Sequence, residues 1–205
     1  MHTHDHPHET LPESDGPASY SERLEAAVRE LLIAKGLFSA DDVRRKVEEQ
    51  DSCTPALGSR VVARAWVDAA YKARLLANGT AAVEELGIPM RGVNLVVVEN
   101  TPQVHNVIVC TLCSCYPRPL LGLPPAWYKS RAYRSRTVRE PRAVLAEFGT
   151  VIPEDVTVRV HDSTADMRYL VLPMRPAGTE GMSEEGLAAL VTRDSMIGVA
   201  LPRGW

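Results

Sequence analysis

Apolar residues recur at helical spacing through the first third of the chain. Leu24, Ala27, Val28, Leu31 and Leu32 share one side of a helix predicted to begin near Ser19, with Glu22 three residues on completing a capping box. Gly36 offers the left-handed residue that ends such a helix. Ser39 is placed to cap a second short helix, where Asp41 and Asp42 suit the N-terminal dipole and Val43 and Val47 lie one turn apart. Past Cys53-Thr54-Pro55, a third helix is predicted over 59–76, carrying Val62, Ala65, Trp66, Ala69 and Ala70 on one side. Asn78-Gly79 stops it, and a short helix over 80–86 follows. The pattern therefore predicts a helical arm over 19–87. It is too thin to bury its own apolar faces, so it must dock on the rest of the chain, on another subunit, or on both.

The period changes after Gly87-Ile88-Pro89. Leu95 to Val98 and Val104 to Val109 are β-branched runs that read as strands. Pro117, Pro119, Pro124 and Pro125 argue against regular structure just beyond them. Pro141 opens a helix running through Phe148 and closed by Gly149. Val156, Val158 and Val160 alternate as a strand with one buried face, and Tyr169 to Leu172 is another. Ser183 starts a helix bearing Leu187, Leu190 and Val191, and Ile197 to Leu201 is a last apolar segment. No internal repeat is visible. The expected fold class is α+β: a polar tail over 1–18, the helical arm over 19–87, and a layered α/β metal-binding domain over 88–205.

Composition narrows the picture. Of 205 residues, 45% are hydrophobic and only 5% aromatic, so aliphatic side chains must build most of the core. A formal net charge of -3 gives no reason to expect nucleic acid or an anionic membrane as partner. No apolar run approaches the length that spans a bilayer, and the polar N-terminus lacks the apolar stretch of a secretory signal. A cytoplasmic protein is expected. In that compartment clustered cysteines bind metal or do redox chemistry more often than they form structural disulfides. His2, His4, His6 and His8 alternate along the tail, either as a metal-capturing arm that helps load a site or as an unstructured terminus.

Three of the four cysteines fall within six positions, Cys110-Thr111-Leu112-Cys113-Ser114-Cys115, directly after the second predicted strand. Tetrahedral zinc would require further Cys or His ligands, yet Cys53 is isolated and His105 lies back along the strand, where a hydrogen-bonded structural role is the commoner one. Cys113 and Cys115 are too close in sequence for a relaxed disulfide. Cys-Ser-Cys offers another chelate. Two sulfurs bracket the backbone nitrogens of Ser114 and Cys115, and if both amides lose their protons one tight loop gives a plane of two sulfurs and two nitrogens. Cys110 then caps that plane from one side, leaving a sixth position open. Anionic amides and thiolates favour a trivalent ion, Co(III) or Fe(III), acting as a Lewis acid.

The cluster, followed by Tyr116-Pro117, Leu121-Gly122-Leu123-Pro124-Pro125 and Trp127-Tyr128-Lys129, closely resembles the nitrile hydratase α-subunit family, which includes the thiocyanate hydrolase γ-subunit. The likeness continues through Tyr133-Arg134, Glu147-Phe148-Gly149, Arg175-Pro176-Ala177-Gly178-Thr179 and Thr192-Arg193-Asp194-Ser195, and covers most of 20–200. It implies that Cys110, Cys113, Cys115 and the amides of Ser114 and Cys115 hold one metal ion, with Cys113 oxidised to sulfinate and Cys115 to sulfenate. Catalysis would fall to Cys115, Ser114 and Cys113. It implies a β-type partner subunit whose arginines hold the sulfur oxygens, in an assembly with one or two different partner chains, and a cobalt-loading chaperone or activator. Thr111 points to the cobalt type, Co(III) rather than Fe(III). Behind the ligands it places Thr111 and Gln103, the latter alternatively a loop amide serving its own backbone. Asp162 and Arg168 would form a polar link near the loop or across the subunit interface, or else a solvated strand-end pair. Trp127 and Tyr128 would line a substrate channel or pack in the core.

The implied reaction is hydration of a nitrile to an amide. Some residues lean elsewhere. Arg118 stands where two-subunit nitrile hydratases carry Trp, and this Tyr-Pro-Arg-Pro form, with Lys35-Gly36-Leu37-Phe38-Ser39-Ala40, resembles the thiocyanate hydrolase branch and the three-subunit toyocamycin nitrile hydratase, whose substrate is a nucleoside nitrile. His161 replaces a Trp common in the family. Leu123-Pro124-Pro125 and Thr192 to Gly198 read as nitrile-hydratase-like. Three roles are therefore weighed: catalytic subunit of a cobalt nitrile hydratase, metal subunit of a thiocyanate hydrolase, and non-catalytic metal-binding subunit.

Overall fold

The structure, a computed structural model, describes residues 17–204. The expectations for the His-rich tail lie almost wholly outside these residues. Two compact units divide between Glu48 and Glu49.

In the first unit, α1 (Tyr20–Ala34) opens on the expected capping box: Ser19 Oγ accepts from the Glu22 N–H, and Glu22 accepts from the Ser19 N–H at 2.6 Å. It closes at Gly36, whose φ of +70° is the left-handed stop. Ser39 and Asp42 repeat the reciprocal bond at the start of α2 (Ala40–Asp51). Neither helix has a buried residue, and Leu24, Val28, Leu31 and Val47 are about half exposed.

The remaining helices of the expected arm lie in the second unit. α3 (Pro55–Val67), α4 (Ala69–Ala77) and α5 (Gly79–Glu85) supply Val61, Val62, Tyr71, Leu75 and Val83 to its core. The single helix expected over 59–76 is broken at Asp68. That residue is extended, with φ −123° and ψ 99°, and its carboxylate accepts from the Tyr71 N–H at 2.9 Å to start α4. A capping side chain here redirects the chain although every neighbour is a fair helix former.

Among the described residues, four strands form two parallel pairs. β1 (Asn94–Glu99) pairs with β4 (Met167–Leu172), and β2 (Val104–Val109) pairs with β3 (Thr157–Asp162). A short turn joins β1 to β2, but residues 110–156 separate β2 from β3, the long crossover a parallel pair needs. That crossover is more ordered than its prolines suggest. It holds α6 (Arg118–Leu121), α7 (Ala126–Lys129), α8 (Arg131–Arg136) and α9 (Pro141–Glu147). Pro119 and Pro141 fall in first turns, where a missing N–H leaves no helical bond unmade.

After β4 come α10 (Glu184–Ala188) and α11 (Arg193–Ile197). α4 and α5 pack on β1, α9 on β3, and α11 on β2 and β4, so helices cover the strands and the α+β class holds. Aliphatic side chains fill the space between, Leu170, Leu172, Val107, Ile108 and Met196 among them, each contributing about 2 kcal/mol by burial.

Candidate metal centre

The paired strands β2 and β3 point their C-terminal ends the same way, and the Cys loop springs from that end. Register sets its surroundings: Val109, the last residue of β2, lies opposite Asp162, the last of β3. Asp162 therefore reaches one residue past Cys110. Its carboxylate accepts the Thr111 N–H at 2.9 Å and the Thr111 hydroxyl at 2.6 Å. The N–H of Ser163 closes the same corner on the Val109 carbonyl at 2.7 Å.

The crossover helices grip the loop from the other side. Tyr128 and Tyr133 are buried in an aromatic cluster with Trp127, Phe148 and Tyr116. Their hydroxyls leave the cluster as donors, Tyr128 to the Cys115 carbonyl at 2.8 Å and Tyr133 to the Ile108 carbonyl at 2.6 Å. Arg134 donates to the Leu112 carbonyl at 2.9 Å. Of the two readings of Trp127 and Tyr128, these contacts describe core packing and support of the loop.

Within the loop, the Sγ atoms of Cys110, Cys113 and Cys115 lie within 4.8 Å of one another. Cys110 is buried, Cys113 exposed and Cys115 half-buried. The separations are 3.9 Å for Cys110–Cys113 and 3.2 Å for Cys113–Cys115. Ser114, between the last two, holds φ at +72°, a left-handed conformation that costs a non-glycine residue energy and persists where the surroundings impose it. Burial pushes the Cys110 thiol up, but the N–H groups of Cys113, Cys115 and Leu112 aimed at its sulfur outweigh that and hold it below the ordinary range. Burial, with Cys113 bonded to it and Cys110 beside it, pushes the Cys115 thiol up to about 12, opposed by the charge of Arg168. Three negative sulfurs cannot share so small a space without a cation, which is the electrostatic condition a metal ion satisfies.

The donor set fits a thiolate-loving transition metal. The three sulfurs converge, and the Cys115 N–H faces into the loop toward Cys110. Among the described residues, no His, Asp, Glu or fourth cysteine joins the group, so a closed tetrahedral zinc set is absent there.

Other expected residues take different places. Gln103 sits in the turn before β2, at the opposite end of the strand from Cys110; seven extended residues span about 23 Å. It does not stand behind the metal loop. Its backbone carbonyl accepts the Thr157 N–H at 2.8 Å and so pins the start of β3. Asp162 and Arg168 do not bond each other: the carboxylate holds Thr111, while the guanidinium bonds the turn carbonyls of Thr164, Ala165 and Met167.

His105 and His161 belong to a buried polar network. His105 Nε2 donates to the Gly198 carbonyl at 2.7 Å, Asn100 donates to His105 Nδ1 at 3.3 Å, and His161 Nε2 donates to Asn106 Oδ1 at 2.8 Å. His161 also makes a ring contact to Tyr169, centroids 5.0 Å apart. A cavity of about 290 Å³ lies at the far end of β2, lined in part by His105, Val104, Pro102 and Leu201. Sequence reasoning missed Arg134 and the bonding role of Tyr128 and Tyr133. Their only signal was three polar-tipped residues in the segment just after the prolines.

Comparison with known proteins agrees with this geometry. The family described as "Nitrile hydratase, alpha chain" matches residues 19–200. The low-molecular-weight cobalt-containing nitrile hydratase subunit alpha of Rhodococcus rhodochrous is 56% identical over 179 residues, 86% of each chain. The thiocyanate hydrolase subunit gamma of Thiobacillus thioparus is 47% identical over 194 residues, 89% of this chain and 80% of that one. Among solved structures, a double mutant of the Fe-type nitrile hydratase from Comamonas testosteroni Ni1 superposes with a TM-score of 0.84 at 43% identity, over 91% of this chain and 92% of that one.

Proposed function

This chain belongs to the nitrile hydratase α-chain family, and from that premise we propose that it is the catalytic, metal-bearing subunit of a cobalt nitrile hydratase, hydrating a nitrile to the corresponding amide. The observation that carries the reading is the loop itself: three thiols within 4.8 Å of one another, closed around a left-handed Ser114. In this reading Cys110, Cys113, Cys115 and the amide nitrogens of Ser114 and Cys115 hold one low-spin Co(III) ion, with Cys113 as sulfinate and Cys115 as sulfenate. Relatives named as cobalt-containing, together with Thr111, support cobalt over iron. When bound, the ion supplies a Lewis acid for the nitrile or for the oxygen that adds to it.

The chain's own residues do the rest. Asp162 fixes the loop's first turn through Thr111, and Tyr128 fixes its last through the Cys115 carbonyl. A loop held at both ends would keep its three sulfurs in place for the ion. The oxygen carried by an oxidised Cys115 is the candidate nucleophile or base.

Leu112 is 83% exposed and Leu123 60% exposed, which suits a face completed by a β-type subunit whose arginines reach the sulfur oxygens. A second partner chain, a cobalt-loading activator and a cytoplasmic setting complete the proposal. No described helix is long and apolar enough to cross a membrane. The Tyr-Pro-Arg-Pro form around Arg118 resembles the three-subunit branch, which supports a nucleoside nitrile such as toyocamycin as the substrate. The same residue supports the second reading, the γ subunit of a thiocyanate hydrolase, against which stands the lower identity of that relative, 47% against 56%.

One experiment separates these readings. The chain is co-expressed with its neighbouring partner chains in cobalt medium and offered nitriles and thiocyanate separately. Amide is the expected product. Carbonyl sulfide with ammonia would install the second reading, and neither product from a cobalt-loaded complex would remove both.

A further inference from the structure

Arg134 is joined to the Cys110 sulfur through a single peptide group. Its Nη1 donates to the Leu112 carbonyl at 2.9 Å, and the N–H on the other side of that peptide, belonging to Cys113, donates to Cys110 Sγ at 3.3 Å. We propose that Arg134 is a positioning residue for the metal loop, setting the donor strength and place of Cys110 through the Leu112–Cys113 peptide. The inference rests on the cobalt reading above and deepens it.

Three observations carry it. A guanidinium on the carbonyl polarises the amide, so the N–H opposite becomes a stronger donor to sulfur; hydrogen bonds in such chains reinforce one another. The side chain is inserted far enough that Arg134 Nε is buried with no hydrogen-bond partner. A buried, unmatched donor opposes folding, so the position is maintained by what the other end of the guanidinium does. Finally, Leu112 is the loop's exposed apex, and among the described hydrogen bonds Arg134 provides the side-chain contact to its carbonyl. Without it the Leu112–Cys113 peptide is free to rotate, and the N–H leaves the sulfur.

The Cys113 N–H is one of three backbone donors aimed at the Cys110 sulfur, beside those of Cys115 and Leu112, and it is the one that shares its peptide with the carbonyl held by Arg134. Arg134 therefore acts on the Cys110 sulfur through that peptide.

The test uses the cobalt-loaded complex with its partner chains, comparing wild type with Arg134→Ala, Arg134→Gln and Arg134→Lys. The readouts are the sulfur-to-cobalt charge-transfer absorption, cobalt loss to a chelator, and hydrogen exchange across 111–115. In Arg134→Ala the band should move to lower energy, because a less hydrogen-bonded sulfur is the better donor. Cobalt loss and exchange should each rise about threefold to tenfold, the scale of one exposed, solvent-screened hydrogen bond. Arg134→Gln, neutral but still a donor, should fall between, and Arg134→Lys should restore most of the band position. If Arg134→Ala fails to fold, the Gln and Lys variants carry the comparison. Wild-type band, retention and exchange in folded Ala or Gln variants would overturn the proposal, as would a Lys variant no better than Ala. A wild-type complex with no cobalt band would overturn the cobalt reading itself, so the two failures are distinct.

Discussion

Asp162 accepts both polar hydrogens that Thr111 offers, the backbone N–H at 2.9 Å and the hydroxyl at 2.6 Å. Two residues 51 positions apart are thus joined by a forked bond, because parallel register lays the end of β3 beside the end of β2. The first turn of the metal loop is thereby anchored to the sheet and not to itself.

Removing that anchor should cost metal before it costs fold. Asp162→Ala is expected to lower cobalt per chain in the purified complex by about threefold to tenfold, given bonds to a charged but exposed acceptor. Asp162→Asn should lie between it and wild type. Metal analysis beside circular dichroism checks this, and full cobalt content in the Ala variant would refute it.

Gly198 ends α11 in the left-handed conformation at φ +90°, and a Cβ placed there would stand 2.0 Å from the Asn106 carbonyl oxygen. The obstacle is backbone, which cannot swing aside. Gly198→Ala should therefore destabilise the chain by about 3 kcal/mol or more, combining overpacking with backbone strain. Denaturant unfolding measures it; a loss below about 1 kcal/mol would show that the helix end relaxes freely.

Burial holds both His105 and His161 below the ordinary histidine range, with the charge of Arg159 adding to the effect at His161. The Gly198 carbonyl bonded to His105 pulls the other way without reversing it. A histidine depressed in the fold binds its proton more readily when unfolded. Its stabilising effect is complete above the unfolded value of about 6.5 and is lost as pH falls from there through the folded value. Stability should decline on acidification below about pH 6.5 by up to about 1.4 kcal/mol per pH unit for each ring. Unfolding midpoints across pH 5–8 test this, and His105→Gln should flatten the slope. A slope unchanged in that variant would assign the effect elsewhere.

The apolar stripe of α1 has no buried residue within the chain. Leu24→Asp with Leu31→Asp should leave the unfolding of the isolated chain within about 0.5 kcal/mol of wild type, as surface changes do. The same pair should weaken assembly with the partner chains at least tenfold, a matter of about 1.4 kcal/mol per factor of ten. Sedimentation or size-exclusion titration reads the outcome. Unchanged assembly would mean that the stripe serves something else.

Much of this protein was readable in one dimension. The capping box at Ser19, the cap at Ser39, the stop at Gly36, the two apolar strands and the Cys-Thr-Leu-Cys-Ser-Cys loop are local features, each specified within a handful of consecutive residues. The candidate metal site was legible because its three cysteines are neighbours in the chain. The break at Asp68 was not, since an aspartate inside a helical pattern caps or does not cap according to where the chain must turn next. Nor were the short helices of the proline-rich crossover, whose few bonds form only when packed.

What the order of residues determined is the cluster: three cysteines within six positions, whose sulfurs the fold leaves within 4.8 Å of one another. What only the folded chain decided is which groups hold it. Gln103 is nearer to Cys110 in sequence than Tyr128, Tyr133 or Asp162, yet an extended strand carries it to the far end of the sheet, while a crossover and a shared register bring the other three against the loop. Distance along a chain fixes contact only within a turn; beyond that, the packing of strands and helices sets it.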